Sequence, residues 1–258
     1  MGIVFLNCFL RSPGWIFHDS QDDRIKLIPY YTIMDNKTLI GLCEVFGSTY
    51  GTQLKNLYAK YNYTFVQAKD KSSGLAFVYP NQYVDLIDHT FEKYRDSKLP
   101  DSLVNKGFMH CVIKYKNCDE QTHIIITHLQ ATYSNEQSKA ATRYREFEIR
   151  KNQLIQLHKY LCDNNIKQYI LMGDFNIDLK DILFPFFKKL FNVQNYLEKS
   201  THFDSEEMVD FIIIKNKDTK KYITKRLDKR AYKIISTYNK KNNKTLDQIS
   251  DHYGIYVK

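Results

Sequence analysis

Eight polar residues in this 258-residue chain stand where an apolar run stops or starts. They are Asn7 in IVFLNCF, Glu44 in TLIGLCEVF, His128 closing HIIITH, Asp174 and Asn176 in YILMGDFN, Asp210 opening DFIII, and the pair Asp251-His252 before YGIYV. Singly, each reads as a turn former or a cap. Together they supply two imidazoles, four carboxylates and two amides. No Cys/His spacing of a structural zinc site is present, and neither G-x-S-x-G nor a P-loop occurs. Carboxylates and amides suit a hard cation, Mg2+ first and Mn2+ as the alternative. The imidazoles suit an acid and a base, and an Asn NH2 suits a phosphate oxygen. The implied reaction is in-line attack of water on a phosphorus ester, with the developing charge held by the cation and the donors.

Such residues need strand ends to hold them. IVFLNCF, TLIGLCEVF, TFVQA, GLAFVYP, FMHCVIKY, HIIITHL, QYILMGDF, MVDFIIIKN, RAYKIISTY and HYGIYVK read as strands between turn signals. DDRIKLIPYYTIM, limited by Pro29, YGTQLKNLYAKY and a long stretch over 134–165 read as helices; in the last, Phe147, Ile149, Leu154, Leu157 and Leu161 recur near 3.6 spacing. About ten strands and three or four helices predict a four-layer α/β/β/α sandwich, two mixed β-sheets flanked by helices. With no repeat and no Pro/Gly-rich linker, 1–258 reads as a single domain.

Composition narrows the setting. Hydrophobic residues make up 43% and Tyr and Phe number 20 and 16, which excludes a disordered chain and favours a β-rich core. No apolar run approaches the roughly 18 residues of a membrane span, and MGIVFLNCFL lacks the basic start and cleavage site of a signal peptide. Met1-Gly2 invites myristoylation, but Leu6 stands where Ser or Thr is needed. The five cysteines (Cys8, Cys43, Cys111, Cys118, Cys162) lack pairing patterns and read as reduced thiols, so the expected location is cytoplasmic and the sequons at Asn36, Asn62 and Asn243 are not used. Net charge is +9, and residues 215–244 alone carry 12 Lys/Arg against 2 Asp. That segment points to an anionic partner, nucleic acid or acidic lipid; a solvated face is the plainer reading.

The motifs, in order, are an early Asn (FLNCF), a Glu (LCEV), THL, GDFN, a D-aromatic-I (VDFI) and a terminal SDH. They span Asn7 to His252 and resemble the endonuclease/exonuclease/phosphatase superfamily, the Mg2+-dependent phosphoesterases similar to DNase I. The resemblance implies that GDFN faces the scissile phosphate across a crevice between two sheets. It implies Glu44 as the metal ligand, with Asn7 and Asp251 beside it. It further implies that Asp174 orients the attacking water, that Asn176 donates to a phosphate oxygen, and that His128 donates to the phosphate or the leaving group. His252 becomes the general base, held in its tautomer by Asp210. Asp178 falls outside the motif and reads as an N-cap or surface residue.

Flanking residues are similar to the neutral sphingomyelinase branch: Arg11, Gln21, Arg24 and Leu27-Ile28-Pro29 after the first strand, Lys106-Gly107 at a strand start, and THLQA (Thr127–Ala131) followed by Arg150 and Gln153. Related nucleases share THL and R-x-x-Q. Ser12 replaces a Pro, Cys43 stands where Gln is usual before the Glu, and Phe211 where Tyr is common. This resemblance implies phospholipase C-type cleavage of sphingomyelin to ceramide and phosphocholine, with DNA or RNA cleavage as the alternative. The basic segment, which falls between Asp210 and His252 in the sequence and is expected beside the site, suits a nucleic-acid or anionic-lipid substrate better than zwitterionic sphingomyelin. Trp15 and Phe17 in PGWIF, and the apolar face of DILFPFFKKLF (Leu183, Phe184, Phe187, Phe191), are candidates for peripheral membrane contact; packing on the sheet is the plainer reading of the second. A monomer is expected.

Overall fold

A computed structural model describes residues 2–11, 19–133, 140–203, 205–216 and 222–258. Ser12, Trp15, Phe17 and residues 217–221, singled out in the sequence, lie outside them. In chain order the elements are β1 (Ile3–Leu10), α1 (Gln21–Thr32), β2 (Leu39–Val45), α2 (Gly47–Ala59), β3 (Tyr63–Gln67), β4 (Ala76–Pro80), β5 (Val84–Lys93), β6 (Gly107–Tyr115), β7 (Gln121–His128), α3 (Ala140–Asp163), β8 (Tyr169–Asp174), α4 (Phe184–Phe191), β9 (Asp210–Lys215), β10 (Thr224–Arg226), α5 (Asp228–Asn242) and β11 (Ile255–Val257).

The strands form a six-stranded sheet, β10-β11-β1-β2-β4-β3, and a five-stranded sheet, β5-β6-β7-β8-β9. Both are mixed: β1 runs parallel to β2, and β7 parallel to β8, while the other neighbours are antiparallel. Three apolar layers follow. Phe5, Cys43, Phe77, Met109, Ile126 and Met172 fill the space between the sheets. Residues of α1, α2 and α5 cover the outer face of the first sheet, and residues of α3 and α4 that of the second. The expected four-layer sandwich is therefore the observed one. Its central strands are apolar on both faces, as burial on both sides requires.

Three elements differ from the sequence reading. RAYKIISTY lies within helix α5, not a strand. Its Ala231, Ile234, Ile235 and Tyr238 stand at i, i+3, i+4 and i+7, and that helical period outweighs the β-branched content. Strand β5 went unpredicted because it is an edge strand with mostly exposed polar positions and little apolar alternation. The three-residue β10 carries no pattern at all. Helix α4 takes its plainer reading: Phe184, Phe187 and Phe191 are buried on the second sheet, so that face is not available to a membrane. Among the described residues no helix is long and apolar enough to cross a membrane.

Candidate active site

The site collects at the C-terminal ends of the parallel strand pairs. On the second sheet His128 is the register partner of Asp174, and Asp174 of Asp210, so three strands present three functional groups side by side. Gly173 precedes Asp174 because a Cβ there would run into the Thr127 carbonyl of the neighbouring strand. On the first sheet Asn7 pairs with Cys43, and the β1–β2 register then shifts before Leu10. Two residues, Cys8 and Phe9, thus face the single Glu44. The backbone takes φ 50° at Phe9 and 53° at Glu44, sparsely populated for such residues and costing about 1–3 kcal/mol each. This bulge turns Asn7 and Glu44 toward the second sheet. Its exposed carbonyls are taken by the fully buried Arg24, which donates to Cys8 O and Phe9 O and also to Ile249 O ahead of Ser-Asp-His.

Asn7 Nδ2 lies at the centre. It donates to Glu44 Oε1 at 2.9 Å and Asp174 Oδ2 at 3.1 Å, and stands 3.5 Å from His252 Nε2. Its carbonyl oxygen is turned away to accept from Phe9 N. Asn7 therefore turns its amide NH2 to two carboxylates of the cleft and braces them. His252 Nδ1 meets Asp210 Oδ2 at 2.8 Å, and its Nε2 is 3.8 Å from Asp174 and 4.0 Å from Asp251. Asn176, at φ 51°, donates its side-chain NH2 to Leu129 O and its backbone N–H to Asp174 Oδ1. All eight sequence-selected residues fall within this one neighbourhood, although Asp251 groups with His252 and Glu44 with His128 and Asp174.

Charge is crowded here. Burial, then Asp210, raises the Asp174 carboxyl to about 6; burial likewise raises Glu44, and raises Asp251 to about 7. Burial opposes protonation of His252, but Asp210, Asp174 and Asp251 outweigh it and hold its pKa well above the ordinary value. His128 is driven the other way, by burial and then by Lys106, and is neutral. Such uncompensated carboxylates fit a cation. Glu44, Asp174 and His128 offer ligand atoms within 4.8 Å of one another, and Asp210 Oδ1 and His128 Nδ1 are buried without a hydrogen-bond partner. The donor set, oxygen-rich with several places for water, fits a hard divalent ion.

Five participants carried no catalytic or metal-binding role in the sequence reading: Lys106, Asp101, His202, Arg150 and Gln153. Lys106, buried, ion-pairs with Asp101 at 2.7 Å, donates to Leu129 O and sits 3.0 Å from His128 Nε2. It was noted only as a strand start, and Asp101 in a loop gave no signal. His202 faces His252 across an isolated β-bridge. The matched Arg150 and Gln153 act from α3: Gln153 Oε1 accepts from Gln130 N, and Arg150 binds Thr132 and Asp181, fixing the loop after β7. Asp178 caps its own turn at Lys180 N and accepts from Met208 N, as a turn former rather than a helix cap.

Glu44, Lys106, His128, Asp174, Asn176, His202, Asp251 and His252 line a cleft of about 1180 Å3 that contains seven Asp/Glu and four Lys/Arg, while Asn7 and Asp210 are not among its lining residues. The described part of the basic segment comes near the site only at its back, where Arg226 lies over the Tyr253 ring at 4.5 Å. The segment's helix α5 packs against α1 on the outer face of the first sheet, and none of the segment's described residues lines the cleft.

No family model matches the chain, and no curated protein matches it in sequence. Solved structures do match in fold. A Staphylococcus aureus beta toxin F277A, P278A mutant with bound magnesium ions covers 99% of this chain and 98% of its own, with TM-score 0.76 and 18% identity. Sphingomyelinase C from Streptomyces griseocarneus covers 100% and 98%, with TM-score 0.75 and 16% identity. An endonuclease/exonuclease/phosphatase family protein from Bacteroides thetaiotaomicron covers 100% and 96%, with TM-score 0.64 and 18% identity. The fold is thus the one shared by sphingomyelinases and endonuclease/exonuclease/phosphatase proteins, as the motifs implied.

Proposed function

We propose that the chain is a divalent-cation-dependent phosphodiester hydrolase that cleaves sphingomyelin to ceramide and phosphocholine. The observation that carries the hydrolase reading is the Asp210–His252 pair at 2.8 Å, with His252, Glu44 and Asp174 lining one cleft and Asn7 bracing the two carboxylates. His252 Nε2 takes a proton from the attacking water while Asp210 stabilises the imidazolium that forms. His252 can be a base only when the negative field of Asp174 and Asp251 is offset. Glu44 and Asp174, with His128 beside them, would hold Mg2+, which would supply that offset and would stabilise charge on the phosphate. Asp174 accepts the second hydrogen of the water and orients its lone pair toward phosphorus. Lys106 and Asn176, both now donating to Leu129 O, are the donors for non-bridging phosphate oxygens. The new P–O bond forms as the bond to the ceramide oxygen breaks; that oxygen leaves as the alcohol by taking a proton from solvent water, and His252 returns its own proton to solvent.

The charge of the cleft supports a zwitterionic headgroup. Seven carboxylates against four cations repel a polyanion but suit a quaternary ammonium, and Phe9, Phe46 and Tyr133 add aromatic faces. Apolar residues mark the mouth: Leu103 lines it, and Leu99 and Ile182 adjoin lining residues, with exposures of 77%, 62% and 81%. These suit a peripheral membrane surface as partner. The 12 Lys/Arg of 215–244 favour a second reading, nucleic-acid cleavage, but α5 carries its part of that charge away from the cleft.

The test is turnover with Mg2+ and with EDTA, on sphingomyelin in mixed micelles and separately on single- and double-stranded DNA and RNA. Phosphocholine release that is absent in Glu44→Ala is expected. Nucleic-acid cleavage without lipid turnover would replace the first reading by the second.

A further inference from the structure

The cleft region holds three overlapping sets of cation donors, Asp174-Asp210-His252 bridging the other two, which share no residue with each other. Of those two, Glu44, Asp174 and His128 form the oxygen-rich one. Beside it, His202, Asp251 and His252 each bring one ligand atom within 4.8 Å of the others. His202 is not placed there by chance loop packing. Phe203 N donates to Asp251 O at 2.6 Å and Tyr253 N to Thr201 O at 2.7 Å, so the main chain on both sides of His202 is tied to the main chain on both sides of His252. The two imidazole centroids are 5.0 Å apart at 69°, both rings line the cleft, and Asp251 lines it with them. Asp210 holds His252 Nδ1 and leaves Nε2 facing the cleft. A histidine whose second nitrogen is held by a carboxylate is the usual arrangement of a metal-ligating imidazole.

We propose that His202, Asp251 and His252 form a second cation site, selective for an imidazole-binding ion such as Zn2+ over Mg2+. Two nitrogens and one carboxylate make a borderline-soft donor set, whereas Mg2+ prefers oxygen and keeps its waters. The two subsites therefore sort ions by chemistry within one cleft. Zn2+ in the second takes the Nε2 lone pair of His252 and so blocks proton acceptance there; this inhibitory consequence alone rests on the hydrolytic reading above.

The experiment is a calorimetric titration of the intact chain with Zn2+ alone and with Mg2+ alone. It is run in a Cys118→Ser, Cys162→Ser background, because both thiols are exposed and Cys162 Sγ lies 3.7 Å from His158 Nδ1, a competing zinc binder. One Zn2+ is expected to bind. His202→Phe should weaken it by more than the roughly 10- to 100-fold that loss of an outer partner costs, with Mg2+ affinity unmoved. Histidine 15N spectra of the protein with His202 intact provide the second measurement. Zn2+ should shift the ring nitrogens of His202 and His252 together and leave those of His128 in place. No zinc uptake, uptake unchanged by His202→Phe, or zinc shifts at His128 instead would overturn the proposal. Zinc binding as expected in a chain that hydrolyses nothing would overturn the hydrolase reading and leave this one standing.

Discussion

The cleft and the α1–α5 face are opposites. In the cleft, carboxylates outnumber cations, the functional groups are buried or partly buried, and the backbone around them is bent and braced. On the α1–α5 face, Lys26, Arg230, Lys233 and Lys241 border a groove of about 530 Å3 floored by Leu27 and Ile234. There only Arg230 is built into the frame, donating to the carbonyls of Tyr30, Tyr31 and Ile33 at the end of α1. The excess charge that dominates the sequence therefore sits on a surface, and the chemistry sits where the local charge is of the other sign. Net charge speaks about what a protein drifts toward, not about what it does when it arrives.

The comparison breaks most sharply at the cleft. His252→Ala should lower turnover about 100- to 10,000-fold with KM little changed, and Glu44→Ala should abolish the response to Mg2+. A Glu44→Ala protein with full, Mg2+-dependent activity would remove that residue from the metal site. Next in size is the brace. Arg24→Met leaves the carbonyls of Cys8, Phe9 and Ile249 without their donor, and should cost about 3–5 kcal/mol in urea unfolding. Activity should fall with it, because the bulge that aims Asn7 and Glu44 loses its support.

A smaller effect checks, outside both regions, that buried charge is costly wherever it lies. His110 touches Tyr160 OH and His123 Nδ1, each at 2.9 Å, and burial followed by His123 lowers its pKa to about 4. The unfolded chain then binds that proton more readily, so this contribution is intact above about 6.5 and is lost as pH falls toward 4. Relative to wild type, His110→Asn should lose about 1–2 kcal/mol less over that window. The smallest effect belongs to the basic face. Changing Lys229, Lys233, Lys240 and Lys241 to Gln should leave stability within about 0.5 kcal/mol and flatten the salt dependence of binding to vesicles containing anionic lipid. An unchanged salt slope would make the face a merely solvated one.

What was legible in the sequence follows the range of the interactions. A strand end carrying Asp, Asn or His advertises itself locally, so eight residues that the fold gathers in one neighbourhood could be picked out, and the alternation of strands and helices pointed to the sandwich. Helix α5 was misread because β-branched residues and a helical period coincide in RAYKIISTY. Lys106 with Asp101, and His202 with His252, were not read as pairs because each depends on which loops meet in space. Arg24 is the extreme case. It was matched to a motif, yet nothing near it announces that its partners include Ile249.

That one side chain has a temporal meaning as well. Arg24 joins the bulge of the first strand to a segment 225 positions later, and Ser250 Oγ reaches back to the carbonyl of Asn7 itself. During synthesis the early part of the site, Asn7 and Glu44, must wait unbraced until residues 249–252 emerge and dock. A chain that has grown past residue 174 but not yet to residue 249 would therefore hold most of the residues of the cleft without their arrangement.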